Sequence, residues 1–220
     1  MNDIKKTGKF EFPKVYNFPP FFTEQPNSNT FQSQLEQWKD VIIKYCKFNK
    51  LFALSITGKP LESEKDELDN YEDNDEEIDD DDDDDNDNEV GNNDFSIFKN
   101  DNINRTVSNQ FIRKIYEFLI ESEAGEWIDL KNKNHGILIY WYGIEEWSQI
   151  LYDWIDNTGQ LNSILTIYEI RKGNLSINQE FYNMNNHMLI KILNNLVNQG
   201  KATIMKDENN NIVGVKFGGV

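Results

Sequence analysis

The sequence predicts an α+β fold, mostly α with small β-hairpins, in which two small domains stand in tandem behind an extended arm. Internal repetition predicts the tandem. Leu35-Glu36-Gln37-Trp38, followed by apolar Val41, Ile42 and Tyr45, recurs as Ile144-Glu145-Glu146-Trp147, followed by Ile150, Leu151 and Trp154, at an offset of 109. Phe111 to Tyr116, with Leu119 and Ile120, recurs as Met188 to Leu193, with Leu196 and Val197, at an offset of 77. A strand follows each of these second helices, Ile137 to Trp141 matching Val213 to Phe217 at an offset of 76. The two helix offsets differ by 32 residues, so the first copy carries an insertion between its helices.

Residues 1–26 form the arm. They hold four of the five prolines (Pro13, Pro19, Pro20, Pro26) and the aromatics Phe10, Phe12, Tyr16, Phe18, Phe21 and Phe22. Proline fixes its own φ and drives its predecessor towards extended conformations, which predicts an extended segment rather than a helix. Asn27, Ser28 or Asn29 caps the first helix, whose stripe of Leu35, Trp38, Val41, Ile42 and Tyr45 keeps helical spacing to about Lys50. Leu51 to Thr57 reads as a short strand. From about 58 to 94 the periodicity stops: residues 61–90 hold 19 acids, one lysine and only five apolar side chains. Too little apolar surface is available there to offset the entropy of ordering, which predicts a disordered acidic insertion.

Helical spacing resumes from Thr106 to about Ser122, followed by strands Glu126 to Lys131 and Gly136 to Trp141 around a polar turn. The second domain opens at Gly143. Its helix Ile144 to Asn157 stops at Thr158-Gly159, and a strand and a short helix follow within Leu161 to Ile170. After a polar connector, a helix runs from Asn185 to Gln199, and strands Lys201 to Lys206 and Ile212 to Phe217 close a hairpin. A short helix, a longer helix and a hairpin wing are the parts of a winged helix. The expected organisation is therefore an arm at 1–26, one winged helix at 27–142 interrupted by the acidic insertion at about 58–94, and a second winged helix at 143–220.

The formal charge of −17 is a property of the insertion: residues 61–90 contribute −18, which leaves +1 for the rest. The single cysteine, Cys46, excludes an internal disulfide and lies on the apolar face of the first helix, where it reads as a small hydrophobe. No apolar run reaches signal-peptide or membrane-spanning length, which predicts a cytosolic or nuclear chain. His135 and His187 lack a nucleophile or metal partner at useful spacing, and no phosphate-binding glycine loop occurs, so the sequence predicts neither an enzyme nor a cofactor or metal site. DNA binding is the usual association of winged helices. Here the second domain's long helix carries only Lys191 as a base, and the bases of the first domain (Arg105, Arg113, Lys114) share their domain with the acidic insertion. Affinity for DNA rests largely on neutralised phosphates, so this charge distribution argues against it.

The arm is the strongest functional signal. Six aromatics and three prolines between Phe10 and Phe22 suit a stiff ligand for an aromatic-lined pocket, while the competing reading folds the arm onto its own domain. Phe10-Glu11-Phe12-Pro13, Tyr16, Phe18-Pro19-Pro20-Phe21-Phe22-Thr23, Gln25-Pro26-Asn27, Glu145-Glu146-Trp147, Ile150-Leu151-Tyr152 and Gly214-Val215-Lys216-Phe217 together resemble the vacuolar protein sorting-associated protein 25 family of ESCRT-II subunits. The resemblance covers nearly all of the chain except residues 58–94. It implies a non-enzymatic adaptor, cytoplasmic and peripherally recruited to endosomal membrane without inserting, that acts in multivesicular body sorting of ubiquitinated cargo. It further implies two copies per complex, an arm docked onto the two larger ESCRT-II subunits, and a second winged helix that recruits the initiating ESCRT-III subunit. Carried over by position, the arm contacts are Phe12, Pro13 and Tyr16, then Phe18, Pro19, Pro20, Phe21 and Phe22. Lys14 and Phe22 depart from the family's Pro-Pro-X-Tyr pattern, the second removing a hydroxyl available to a partner. On this reading, changing Phe21 and Phe22 to Ala abolishes assembly while both domains stay folded. The other reading of the same fold is a DNA-associated tandem winged-helix transcription factor.

Overall fold

The computed structural model describes residues 8–61 and 95–218. Two 3₁₀ turns, Lys14–Asn17 and Pro19–Phe22, precede α1 (Ser28–Asn49), β1 (Ala53–Leu54), β2 (Lys99–Asn100), β3 (Arg105–Thr106), α2 (Asn109–Glu121), β4 (Gly125–Trp127) and β5 (Ile137–Ile139). The second unit comprises α3 (Ile144–Asn157), β6 (Ile164–Leu165), α4 (Ile167–Lys172), α5 (Asn186–Asn198), β7 (Ala202–Lys206) and β8 (Ile212–Phe217). Caps fall where the sequence places them. Asn27 Oδ1 accepts from the Asn29 and Thr30 amides at 3.0 and 3.1 Å, and Asn185 Oδ1 accepts from the His187 amide at 2.9 Å.

Each unit carries a three-stranded antiparallel sheet of the same topology, ordered β1-β5-β4 and β6-β8-β7. In both, the short strand after the first helix pairs with the last strand. The registers correct one expectation. Ile137 stands opposite Leu54 and Trp127, and Val215 stands opposite Leu165 and Ile204, so Ile137 is the counterpart of Val215 at an offset of 78 rather than 76. A slip of two residues returns every side chain to the same face, so alternation alone cannot register it.

Several boundaries move. The predicted strand Leu51 to Thr57 narrows to Ala53–Leu54, because a turn follows in which the Gly58 amide donates to the Ser55 carbonyl at 2.9 Å. Residues 58–61, expected within the insertion, belong to the fold: the Ile97 amide donates to Gly58 O and the Leu61 amide to Ala53 O, both at 3.1 Å. The expected disorder of the remainder falls at 62–94, outside the described residues. Thr106 lies in β3 rather than in a helix, and α2 begins after Ser108, whose hydroxyl caps the Phe111 amide.

Trp38 and its repeat counterpart Trp147 are both fully buried, each anchoring the first helix of its unit. The two interiors meet. Phe52 stacks on Trp141 at 4.4 Å, and Trp141 and Tyr142 pack on Trp147 at 5.7 and 5.0 Å between ring centroids. Cys46 is fully buried and burial pushes its thiol pKa up, so it behaves as the apolar residue its position predicts.

Candidate functional site

The arm is folded onto its own domain. Pro13 (φ −64, ψ 156) and Phe18 (φ −99, ψ 111) are extended, as the prolines require, but the chain closes into a 3₁₀ turn after each of them. The turns are set by tertiary contacts around Trp38. Phe21 stacks flat on the indole at 4.3 Å and 12°, Phe22 meets it edge-on at 5.4 Å, and Tyr16 packs on both Phe22 and Trp38. Backbone carbonyls of the arm are bonded as well. Trp38 Nε1–H donates to Phe21 O (3.1 Å), Gln34 Nε2 donates to Phe21 O and Thr23 O (both 2.9 Å), and Asn100 Nδ2 donates to Tyr16 O (2.7 Å). The Tyr16 hydroxyl lies 2.9 Å from Ile97 O and 3.0 Å from Lys99 O, and burial raises its pKa, so it stays a neutral donor.

This arrangement divides the eight residues singled out from the sequence. Tyr16, Phe21 and Phe22 are core residues of the first winged helix, and Phe12 is half-buried, stacked on Tyr16 at 3.9 Å. Pro13, Phe18, Pro19 and Pro20 face outward. Phe18 is 57% exposed at the lip of a shallow recess of about 260 Å³, between the arm and the Gln34 side of α1. Position 22 points inward, so the hydroxyl that Phe22 lacks is not missing from an outward surface. Sequence reasoning missed Gln34 and Asn100, both buried and both tied to arm carbonyls. For Gln34 a signal existed: it is the polar member of the Leu35, Trp38, Val41, Ile42 stripe, and a polar residue on an apolar face needs a buried partner.

The second winged helix offers a different surface. Tyr168 on α4, with Leu175 and Ile177 in the connector after it, is exposed, and a groove of about 450 Å³ runs past Trp154, Leu165, Tyr168, Glu169 and Leu175. The α4 end is fixed by a capping box, Thr166 Oγ1 accepting from the Glu169 amide at 3.1 Å while Glu169 Oε2 accepts from the Thr166 amide at 2.7 Å. Acidic Asp153 and Asp156 lie on the solvent side of α3. The groove-reading helix of a DNA-binding winged helix corresponds to α5, and its only Lys or Arg, Lys191, bonds Glu126 of the first domain. Among the described residues no cluster of His, Cys, Asp and Glu could hold a metal ion, and no helix is long and apolar enough to cross a membrane.

Comparison with known proteins agrees with this geometry. A family model described as "ESCRT-II complex subunit" matches residues 15–185. The chain is 31% identical over 211 residues to the vacuolar protein-sorting-associated protein 25 of Saccharomyces cerevisiae, covering 93% of this chain and 97% of that one. It is 33% identical over 208 residues to the Danio rerio protein of the same name, with coverages of 94% and 98%. Among solved structures, the VPS25 subunit of the endosomal trafficking complex ESCRT-II superposes with a TM-score of 0.72 at 28% identity, covering 93% of this chain and 98% of that one. A chain of the ESCRT-II complex VPS22/VPS25/VPS36 superposes with a TM-score of 0.70 at 28% identity, with coverages of 92% and 97%.

Proposed function

The chain belongs to the family of ESCRT-II complex subunits, and from that premise we propose that it is a non-enzymatic adaptor with two docking surfaces, one on the arm and one on the second winged helix. The arm joins the chain to two larger winged-helix subunits, with two copies of this chain per assembly; a solved ESCRT-II complex holding VPS22, VPS25 and VPS36 supports partners of this kind. The second winged helix recruits the initiating ESCRT-III subunit. The complex so formed is peripherally recruited from the cytoplasm to endosomal membrane and sorts ubiquitinated cargo into multivesicular bodies.

One observation carries the arm assignment: Phe18 is a large apolar side chain held 57% exposed directly before Pro19 and Pro20, on a backbone already clipped to α1 by Trp38 and Gln34. A preorganised apolar anchor is the economical way to build an interface, because little ordering is left for binding to supply. Phe12 lines a separate recess beside Tyr45 and Phe95, whereas Phe21 shapes the Phe18 surface from beneath and Tyr16 and Phe22 pack behind it on Trp38. The double change of Phe21 and Phe22 to Ala is therefore a poor probe, since it removes core rings of the first domain along with any contact. Phe18→Ala, with Pro19 and Pro20 changed to Ala, is the selective one. Co-expression with the two larger subunits should show loss of co-purification with the first domain still folded, and undiminished co-purification overturns the arm assignment.

The exposed Tyr168, Leu175 and Ile177 support a docking role for the second winged helix, with an amphipathic partner helix laying its apolar face on them. Against DNA stands the engagement of Lys191 within the chain.

A further inference from the structure

Beyond the aromatic contact of Phe52, Trp141 and Tyr142 with Trp147, the two winged helices are joined at a second place by one carboxylate. Glu126 lies on β4, an edge strand of the first sheet, with its neighbours Gly125 and Trp127 turned into the core. Its side chain crosses to α5 of the second domain, where Lys191 Nζ bonds Oε2 and His187 Nε2 lies 2.9 Å from Oε1. His187 and Lys191 are four residues apart, so one helix turn presents both to the same acceptor. Tyr140, beside Glu126 on the first domain, completes the cluster by hydrogen bonding to the carboxylate. Oε1 is shut off from solvent, and no bond other than the His187 contact is available to it. Desolvation alone would raise the carboxyl pKa, but the bonds from Lys191 and Tyr140, with the charges of Lys191 and His187, bring it below the ordinary carboxylate range.

We infer that Glu126 is the pin that fixes the angle between the two winged helices. Apolar packing does not do this on its own at that place, because a gap of about 290 Å³ opens beside the cluster, lined by Ile128, Leu138, Arg171, Asn185, His187 and Ile190. A hydrogen-bonded ion pair with a desolvated oxygen is directional where a loose apolar contact is not, and removing one partner strands the others. Other polar links between the domains, such as the Tyr142 hydroxyl with Glu180 and Lys50 Nζ to Gln179 O at 3.1 Å, lie at the surface and are correspondingly weak. The pin uses the helix that other winged helices lay into a DNA groove, so that helix serves as an internal strut. Its functional weight rests on the adaptor reading: if the arm fixes the first domain and the second recruits a partner, the angle sets the direction in which the partner is presented.

The test is a distance measurement between spin labels on the full chain, attached at Gln32→Cys on α1 and Asn194→Cys on α5, both exposed. The unaltered background should give one narrow distribution. Glu126→Gln, which keeps the shape and removes the charge, should broaden or shift it, Lys191→Met should do the same, and the charge exchange Glu126→Lys with Lys191→Glu should narrow it again. Near-ultraviolet circular dichroism confirms that each variant retains its packed cores. A distribution unchanged in Glu126→Gln and Lys191→Met overturns the pin. Co-purification with the larger subunits, measured on the same variants, reports on the adaptor reading separately, since Phe18 is not part of the cluster.

Discussion

Trp38 holds the arm by both its ring and its N–H, taking Phe21 flat against the indole and donating to the Phe21 carbonyl. Residues three positions apart in the arm therefore have opposite fates. Phe21→Ala should cost on the order of 3–5 kcal/mol of stability, the usual range for deleting a buried ring, whereas Phe18→Ala should stay within about 0.5 kcal/mol as surface changes do. Urea unfolding of the isolated chain checks both, and equal costs would show that Phe18 also belongs to the core. At Glu126 the folded-state pKa is depressed, so its contribution is complete above the ordinary value of 4.5 and is lost as pH falls through the folded value. The stability difference between the unaltered chain and Glu126→Gln should accordingly hold at neutral pH and shrink below pH 4.5, as read by thermal melts across acid buffers. The sequence displayed the aromatics and prolines of the arm plainly, yet not which rings turn inward. That division depends on the meeting of residues 16–22 with Trp38 and with 97–100, contacts that no local pattern encodes.

At the scale of elements, the long helices were legible because each keeps an apolar stripe over at least 13 residues, and α1, α2 and α5 begin at a side-chain cap. The strands β2 and β3 were not. They contain two residues each and flank Asn104 in the left-handed conformation (φ 51), which leaves no alternation to detect. The pairing of β1 with β5 depends on a glycine. Gly136 has φ +103, and a Cβ built there would lie 2.2 Å from the Leu54 carbonyl oxygen on the neighbouring strand. Gly136→Ala should cost on the order of 1–3 kcal/mol through that backbone strain, more than the mild loss of a surface glycine elsewhere. Gly159→Ala is the control, since it shares a positive φ but has open space around its Cβ. Chemical denaturation of the two variants separates the steric part from the conformational one, and equal losses would remove the role given to Leu54.

For the whole molecule, the tandem organisation was visible because the chain repeats itself, while the Glu126 contact between the copies was not, since it joins single side chains separated by 61 and 65 residues. The net charge illustrates the same scale effect: a figure of −17 describes residues 61–90 and says little about the folded surface. The first domain is stitched on either side of that segment, Gly58 to Ile97 and Ala53 to Leu61. Replacing residues 62–94 by a short Gly-Ser linker should therefore leave the thermal midpoint unchanged or slightly higher, because shortening a loop fourfold returns only about 1 kcal/mol of closure entropy. A fall in the midpoint would mean that the excised residues pack on the domain.

The folded arm also has a consequence for rates. A segment that must be ordered during docking slows association by the fraction of time it spends in the right shape, whereas one already clipped by Trp38, Gln34 and Asn100 meets its partner as a rigid body. Newly made subunits joined through such an arm would find one another at a speed set by diffusion and orientation, and loosening the clip at Gln34 would show first as slower assembly rather than as faster dissociation.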